Sequence, residues 1–196
     1  MFAPHSISLL QINAFLVATA LFVTGISWIA LRNVDRAGSG KRRLRSILGI
    51  ALQSLGCAAA GIGLVKPVLP WWAPFSLVST VLVVLLGGTA IALFLSAAAT
   101  MGKNWSLVAR TRSDHELIRT GPFAIVRHPI YLALLLYLIS IAAALGHWQQ
   151  LLLALPLYLA GTFIRVRDEE ALLRAKFGEE HARYAREVPA LIPLIL

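Results

Sequence analysis

The sequence contains few charged residues and a single cysteine. Only 14% of its 196 residues are charged, against about 25% in a typical soluble domain. Because Cys57 stands alone, an internal disulfide and a metal cluster held by cysteines are excluded. Acidic residues are scarce, with 9 Asp and Glu against 18 Lys and Arg. The composition predicts a protein whose main solvent is a lipid bilayer.

Common catalytic motifs are also missing. The chain has no Gly-rich phosphate loop, no HExxH zinc motif and no Ser-centred nucleophile elbow. Asp114-His115-Glu116 suggests a metal, but no second His or Cys follows at ligand spacing, so we expect no metal site. The net charge of +9 comes from basic residues between apolar runs. It therefore indicates loop topology and contact with anionic lipid rather than nucleic acid.

Hydrophobic residues form 58% of the chain and fall into five runs. The first three approach or exceed the ~20 residues that cross a bilayer as a helix. The last two are shorter and are joined by Gly146-His147, which predicts a tight helical hairpin. We therefore expect an all-α, polytopic membrane protein with five transmembrane helices and a cytoplasmic C-terminal helical segment. The predicted helices are Ser8–Leu31, Ser46–Val65, Phe75–Ala99, Ile130–Leu145 and Trp148–Ile164.

Basic residues lie in alternate segments between these runs. Residues 32–45, 103–127 and 165–186 hold six, five and six Lys and Arg, whereas the other loops hold only Lys66. Positive loops remain in the cytoplasm. We therefore predict that the N-terminus lies outside and the C-terminus inside.

Two polar clusters border the short hairpin. Pro129 is a favourable first helical residue, so His128 would cap a helix whose exposed N–H groups form a small anion site; the alternative is a plain helix start with Arg127 at the lipid headgroups. Arg165 and Glu169 lie at i and i+4, beside Glu170. As an exposed ion pair they would contribute well under ~1 kcal/mol. Because both clusters lie at one cytoplasmic depth, a shared site is the competing interpretation.

Several short motifs occur in order along the second half of the chain: Gly121-Pro122-Phe123, Arg127-His128-Pro129-Ile130-Tyr131, Arg165 through Glu170, Phe177-Gly178-Glu179-Glu180, Tyr184 and Val188-Pro189. Together they resemble the motifs of the isoprenylcysteine carboxyl methyltransferase family of integral membrane enzymes. The likeness begins near Lys103 and covers about the C-terminal half. It implies a single domain, 1–196, in which residues 1–100 form a three-helix membrane scaffold and residues 101–196 bind cofactor and substrate.

The resemblance implies an S-adenosylmethionine-dependent methyltransferase with a cytoplasmic active site. Arg165 is then the residue that meets a substrate carboxylate, and Glu169 is catalytic beside it. Relatives commonly carry Tyr where this chain has Phe123. Phe123 therefore keeps the aromatic wall of the implied cofactor site but lacks the tyrosine hydroxyl. The implied cofactor-binding residues are His115, Glu116, Leu117, Ile118, Gly121, Phe123, His128, Pro129, Ile130, Tyr131, Glu169 and Glu170.

The implied methyl acceptor is the carboxylate of a prenylated cysteine, or a similar amphiphile that reaches the site from the bilayer. A phospholipid amine is an alternative, and Glu169 or Glu170 would then be a candidate base. Membrane sterol reductases have a similar C-terminal arrangement and use NADPH, and a non-catalytic membrane protein is a third class. We expect His5, His147 and His181 to be exposed polar residues.

Overall fold

All five predicted apolar segments form helices. The structure, a computed structural model, describes residues 6–33, 44–66, 68–102 and 116–191. Within these ranges the only strand-like pairing is an isolated bridge between Ser8 and Leu69, so the all-α prediction is confirmed there. The helices are α1 (Leu9–Asn33), α2 (Leu44–Gly61), α3 (Pro74–Met101), α4 (Pro129–Leu145), α5 (Leu151–Phe177) and α6 (Glu179–Glu187), with 3-10 helices at Gly121–Ala124 and Trp148–Gln150.

Glycines with a positive φ follow three of the helices, α3, α4 and α5. Gly146 follows α4 in the left-handed conformation, with φ of 70°, and Gly178 follows α5 with φ of 49°. Glycine adopts this region without steric cost, and it stops the run of helical hydrogen bonds. Gly178 therefore separates α5 from α6. The second helix is shorter than predicted, because it ends at Gly61 rather than Val65.

The five long helices alternate in direction. At one end of the molecule, Ile7 N–H donates to Lys66 O at 3.1 Å, so the start of α1 lies beside the residues after α2. The Gln11 side chain donates there to Ala143 O, near the end of α4, at 2.6 Å. The opposite end gathers the starts of α2 and α4 and the C-terminal half of α5, and it is there that the polar clusters lie.

Three helices are long and apolar enough to cross a membrane. They are Leu9–Ile29, Pro74–Met101 and Trp148–Phe177. The helix at Pro129–Leu145 is apolar but shorter. Large apolar side chains such as Leu152 and Val78 are exposed on these helices, as expected where lipid is the solvent. These are properties of an integral membrane protein, and they support three of the five predicted spans.

α2 and α5 pack at backbone contact distance. A Cβ atom at Gly56 would lie 2.8 Å from Ala154 O, and one at Gly161 would lie 2.5 Å from Gly49 O. Small residues permit this approach between helices in lipid, where van der Waals packing rather than hydrophobic burial holds helices together. The buried Gln53 side chain also donates to Thr162 Oγ1 at 2.9 Å. The first half of the chain therefore fixes the position of α5.

Candidate active site at the start of α4 and the end of α5

A buried arginine and tyrosine join α5 to α4. Arg165 is 8% exposed and Tyr131 is 5% exposed. Arg165 Nε donates to Tyr131 Oη at 2.8 Å, and the guanidinium lies 5.2 Å from the centre of the Tyr131 ring. Tyr158 Oη, about two turns of α5 further into the bundle, donates to Tyr131 O at 2.6 Å. Arg165 is therefore not part of a solvated surface ion pair.

Glu169 continues this chain of polar groups. The Tyr131 hydroxyl accepts from Arg165 and donates to Glu169 Oε1. Arg165 Nη2 also lies 3.6 Å from Glu169 Oε1, within the i,i+4 pair predicted from the sequence. One hydroxyl thus links a cation to an anion, which fixes the direction of both hydrogen bonds. The arrangement orients the guanidinium and the carboxylate relative to each other.

His128 bridges the two carboxylates. Its Nε2 lies 2.9 Å from Glu170 Oε1, and its Nδ1 lies 3.4 Å from Glu169 Oε2. An imidazole that faces a carboxylate with each nitrogen is best satisfied when both nitrogens carry a proton. Burial alone would lower the pKa of His128, but hydrogen bonds and charge interactions with Glu169 and Glu170 outweigh it and raise the pKa. His128 is therefore expected to be a cation in this site.

Glu170 gathers three nitrogen groups. Arg127 Nε donates to Glu170 Oε1 at 2.9 Å, and His128 approaches the same oxygen. His181 Nε2, on α6, lies 3.3 Å from Glu170 Oε2. Burial lowers the pKa of His181. Glu170 therefore ties the start of α4 to the helix that follows Gly178.

Arg127 fastens the C-terminal segment over the start of α4. Its side chain donates to Ala185 O at 3.1 Å and also to Val188 O. Its backbone N–H donates to Pro189 O at 2.9 Å. The plainer interpretation, in which Arg127 extends to the lipid headgroups, is wrong. The guanidinium instead connects a carboxylate of α5 to one carbonyl in the last turn of α6 and one just after it.

The part of the chain that carries this site is similar to known proteins. Residues 80–175 match the isoprenylcysteine carboxyl methyltransferase family. This part of the chain is similar to that family. The matched residues include the site described above, apart from His181 and the segment that Arg127 binds.

The relatives carry two kinds of name. A protein-S-isoprenylcysteine O-methyltransferase of Schizosaccharomyces pombe is 34% identical over 102 residues, which are 51% of this chain and 43% of that protein. A cobalt-zinc-cadmium resistance protein, CzcN, of Cupriavidus metallidurans is 33% identical over 99 residues, 48% of this chain and 44% of that protein. The match therefore spans less than half the length of each of these two relatives. Within residues 6–33, 44–66, 68–102 and 116–191, no group of three or more His, Cys, Asp and Glu side chains is arranged to hold a metal ion.

Only some residues of the implied cofactor wall lie in the polar cluster. His128, Tyr131, Glu169 and Glu170 meet there, together with Arg165. His115 lies outside the described residues. The remaining positions surround the cluster or precede it in the chain, and they are Glu116, Leu117, Ile118, Gly121, Phe123, Pro129 and Ile130.

These surrounding positions differ in exposure. Glu116 is exposed, in a segment without regular structure, and Leu117 is half-buried. Phe123 is buried, and its carbonyl accepts from Tyr184 Oη of α6 at 2.6 Å. Gly121 has a φ of 59°, which glycine adopts most readily. The chain thus turns at Gly121 shortly before α4 begins.

Two expectations about His128 need correction. His128 is the residue before α4, as predicted, but its side chain makes no capping hydrogen bond, because both ring nitrogens face carboxylates. The nearby backbone N–H groups are largely engaged. His128 N–H donates to Ala190 O, and the N–H groups of Tyr131 and Leu132 donate to His128 O. The helix start therefore offers less of an anion site than its sequence suggested.

The expected exposure of two histidines is wrong. His147 and His181 are both fully buried, and His5 lies outside the described residues. His147 packs against Gly63 and lies 3.3 Å from Leu64 O. His181 faces Glu170. A single histidine in a polar stretch carries no local signal of burial, because its partner is distant in sequence.

Asp168 and Tyr158 are further polar residues of the site region that sequence reasoning did not single out. Asp168 is 7% exposed, and its Oδ2 atom has no hydrogen-bond partner. Tyr158 is fully buried. Both share the face of α5 that carries Gly161 and Arg165. These four residues are three or four positions apart, so the sequence alone could have indicated that they share one face of the helix.

Proposed function

We propose that this protein is an S-adenosylmethionine-dependent membrane methyltransferase. Its acceptor is proposed to be the carboxylate of a prenylated cysteine or of a similar amphiphile. The supporting observation is the buried chain from Arg165 through Tyr131 to Glu169 and His128. Charged groups that are buried at the end of an apolar helix bundle cost free energy, and in membrane proteins such groups usually serve a function. The similarity of residues 80–175 to the isoprenylcysteine carboxyl methyltransferase family supports the same activity.

The charged groups of the site fit this cofactor. Adenosylmethionine carries a sulfonium and an ammonium, for which Glu169 and Glu170 are the complementary anions. Its amino-acid carboxylate needs cations, and two lie beside these glutamates: Arg127 contacts Glu170, and His128 contacts both. When bound, the cofactor supplies the methyl group from its sulfonium. The chain's own residues orient the reactants and exclude water.

A carboxylate acceptor suits the chemistry of Arg165. A carboxyl group with a pKa near ~3.5 is already ionised at neutral pH, so its methylation requires no general base. It requires orientation and partial removal of water, because positioning accounts for much of the rate in a displacement reaction. A guanidinium can hold a carboxylate in two places. Arg165 is accordingly assigned to the acceptor, and Glu169 to the cofactor.

An amine acceptor fits the site less well. A phospholipid amine would have to lose a proton, and Glu169 or Glu170 would have to take it. Glu169 already accepts a hydrogen bond from the Tyr131 hydroxyl, and Glu170 lies beside Arg127, His128 and His181. Carboxylates that are held by several donors are weak bases. The carboxylate acceptor is therefore preferred.

The first test of this function is cofactor binding by two tyrosine variants. Tyr131→Phe removes the hydroxyl that orients Glu169, so adenosylmethionine affinity should fall by roughly tenfold, the size expected for a hydrogen bond to a charged group. Tyr137→Phe is the matched control, since this hydroxyl on the same helix donates to Thr19 Oγ1 at 2.8 Å. Calorimetric titration of each purified protein measures the affinities. Equal affinities in both variants, or binding of NADPH instead, would contradict the assignment.

We also propose that all five long helices cross the membrane, with the N-terminus outside and the site in the cytoplasm. The alternating helix directions and the basic residues after α5 support this topology. Single cysteines introduced at Val68 and Glu179, both exposed, in a Cys57→Ala background test it. Val68→Cys should react with an impermeant thiol reagent only from outside, and Glu179→Cys only from the cytoplasm. Labelling of both from one side would contradict five passes. Part of the supporting loop, around Lys41, lies outside the described residues.

A further inference from the structure

Arg165 reaches Tyr131 across the surface of α2. The aliphatic part of its side chain passes over Gly49, where a Cβ atom would lie 2.5 Å from Arg165 Cγ and 3.3 Å from Arg165 Cδ. The same Cβ would lie 2.9 Å from Gly161 O. Contacts below 3.0 Å require something to move. Because Gly49 has no Cβ atom, the arginine side chain can pass through this space.

Other contacts keep α2 from moving aside. Gln53, one turn further along α2, donates to Thr162 at 2.9 Å. A Cβ atom at Gly56 would lie 2.8 Å from Ala154 O and 2.9 Å from Tyr158 N. With α2 and α5 held by these contacts, a side chain at residue 49 would act first on the flexible arginine stem. The guanidinium at its end would shift away from Tyr131 Oη.

We propose that Gly49 is a positioning residue for Arg165. It acts from the N-terminal half of the chain, where the sequence contains no family motif. It directs the guanidinium to Tyr131 by keeping the surface of α2 open beneath the Arg165 stem. Its effect on catalysis rests on the function proposed above, whereas its effect on the packing of Arg165 does not.

Gly49→Ala and Gly56→Ala form a matched pair. Both add one methyl group to α2 where it touches α5, but only Gly49 touches Arg165. We expect Gly49→Ala to lower kcat/KM for a prenylated-cysteine analogue by about 100-fold, because an ångström-scale misplacement of a positioning group has effects of that size. Adenosylmethionine affinity should change little. Gly56→Ala should lower the melting temperature with a much smaller loss of kcat/KM. Equal losses of kcat/KM in the two variants would overturn the proposal.

A double-mutant cycle tests the packing without any assay of activity. Gly49→Ala and Gly56→Ala are each made in the native chain and in an Arg165→Ala background, and the thermal unfolding of all variants is followed. Removal of the arginine stem should relieve part of the destabilisation caused by Gly49→Ala and none of that caused by Gly56→Ala. The proposal is also supported if Gly49→Ala folds only in the Arg165→Ala background. It is overturned if Gly49→Ala is equally destabilised, or equally unable to fold, in both backgrounds. If the wild-type protein transfers no methyl group, the proposed function fails while this cycle still decides the role of Gly49.

Discussion

Arg165→Ala should lower the rate of methyl transfer to a carboxylate acceptor by about 100-fold or more, the effect of removing a group that orients and stabilises a reacting anion. The guanidinium is buried and directed by Tyr131, so no solvated side chain would replace it. Glu169 would keep its contacts with Tyr131 and His128. Adenosylmethionine affinity should therefore change much less than the rate. Rate and affinity are measured on the same preparation.

Arg167→Ala is the matched control for this change. Arg167 lies on the same helix and carries the same charge, but it is exposed and stacks over Phe163. Its loss should leave the rate near that of the native protein. Arg165→Lys should restore little activity, because lysine lacks the planar fork that holds a carboxylate in two places. If Arg165→Ala keeps a near-native rate, the arginine is structural and its assignment to the acceptor is wrong.

Glu169→Gln should weaken adenosylmethionine binding by roughly tenfold or more, since it removes a charge from beside a cationic ligand and weakens one charge-assisted hydrogen bond. The variant keeps the size of the side chain and an oxygen that can accept from Tyr131. Any loss of affinity therefore reports the charge rather than a cavity. Calorimetric titration is again the measurement.

Two other glutamate variants show whether the expected loss of affinity is specific to Glu169. Glu179→Gln removes an exposed charge at the start of α6 and should leave the affinity unchanged. Glu170→Gln removes the carboxylate shared by Arg127, His128 and His181. It should lower the melting temperature strongly, because these nitrogen groups would lose the negative charge that they share. Unchanged affinity in a well-folded Glu169→Gln protein would remove Glu169 from the cofactor site.

Local patterns in the sequence identified most of the helices and several site residues. The five apolar runs, the glycine at 178 and the i,i+4 pair of Arg165 and Glu169 all depend on neighbours within a few residues. Such features can be read without knowing the fold. The family motifs likewise pointed to His128 and Tyr131. The pairing of Arg165 with Tyr131, across 34 residues, could only be expected from the shared depth of the two clusters.

Burial and long-range partners were decided by the tertiary structure alone. The sequence determined that this is a helical membrane protein with its polar residues at the ends of apolar runs, and its motifs resemble those of a methyltransferase family. It did not show that α2 packs against α5 at backbone distance, that Gly49 lies beneath Arg165, or that His181 is buried against Glu170. Helix periodicity determines which residues share a face, but which face meets which partner depends on how side chains of distant helices fit together.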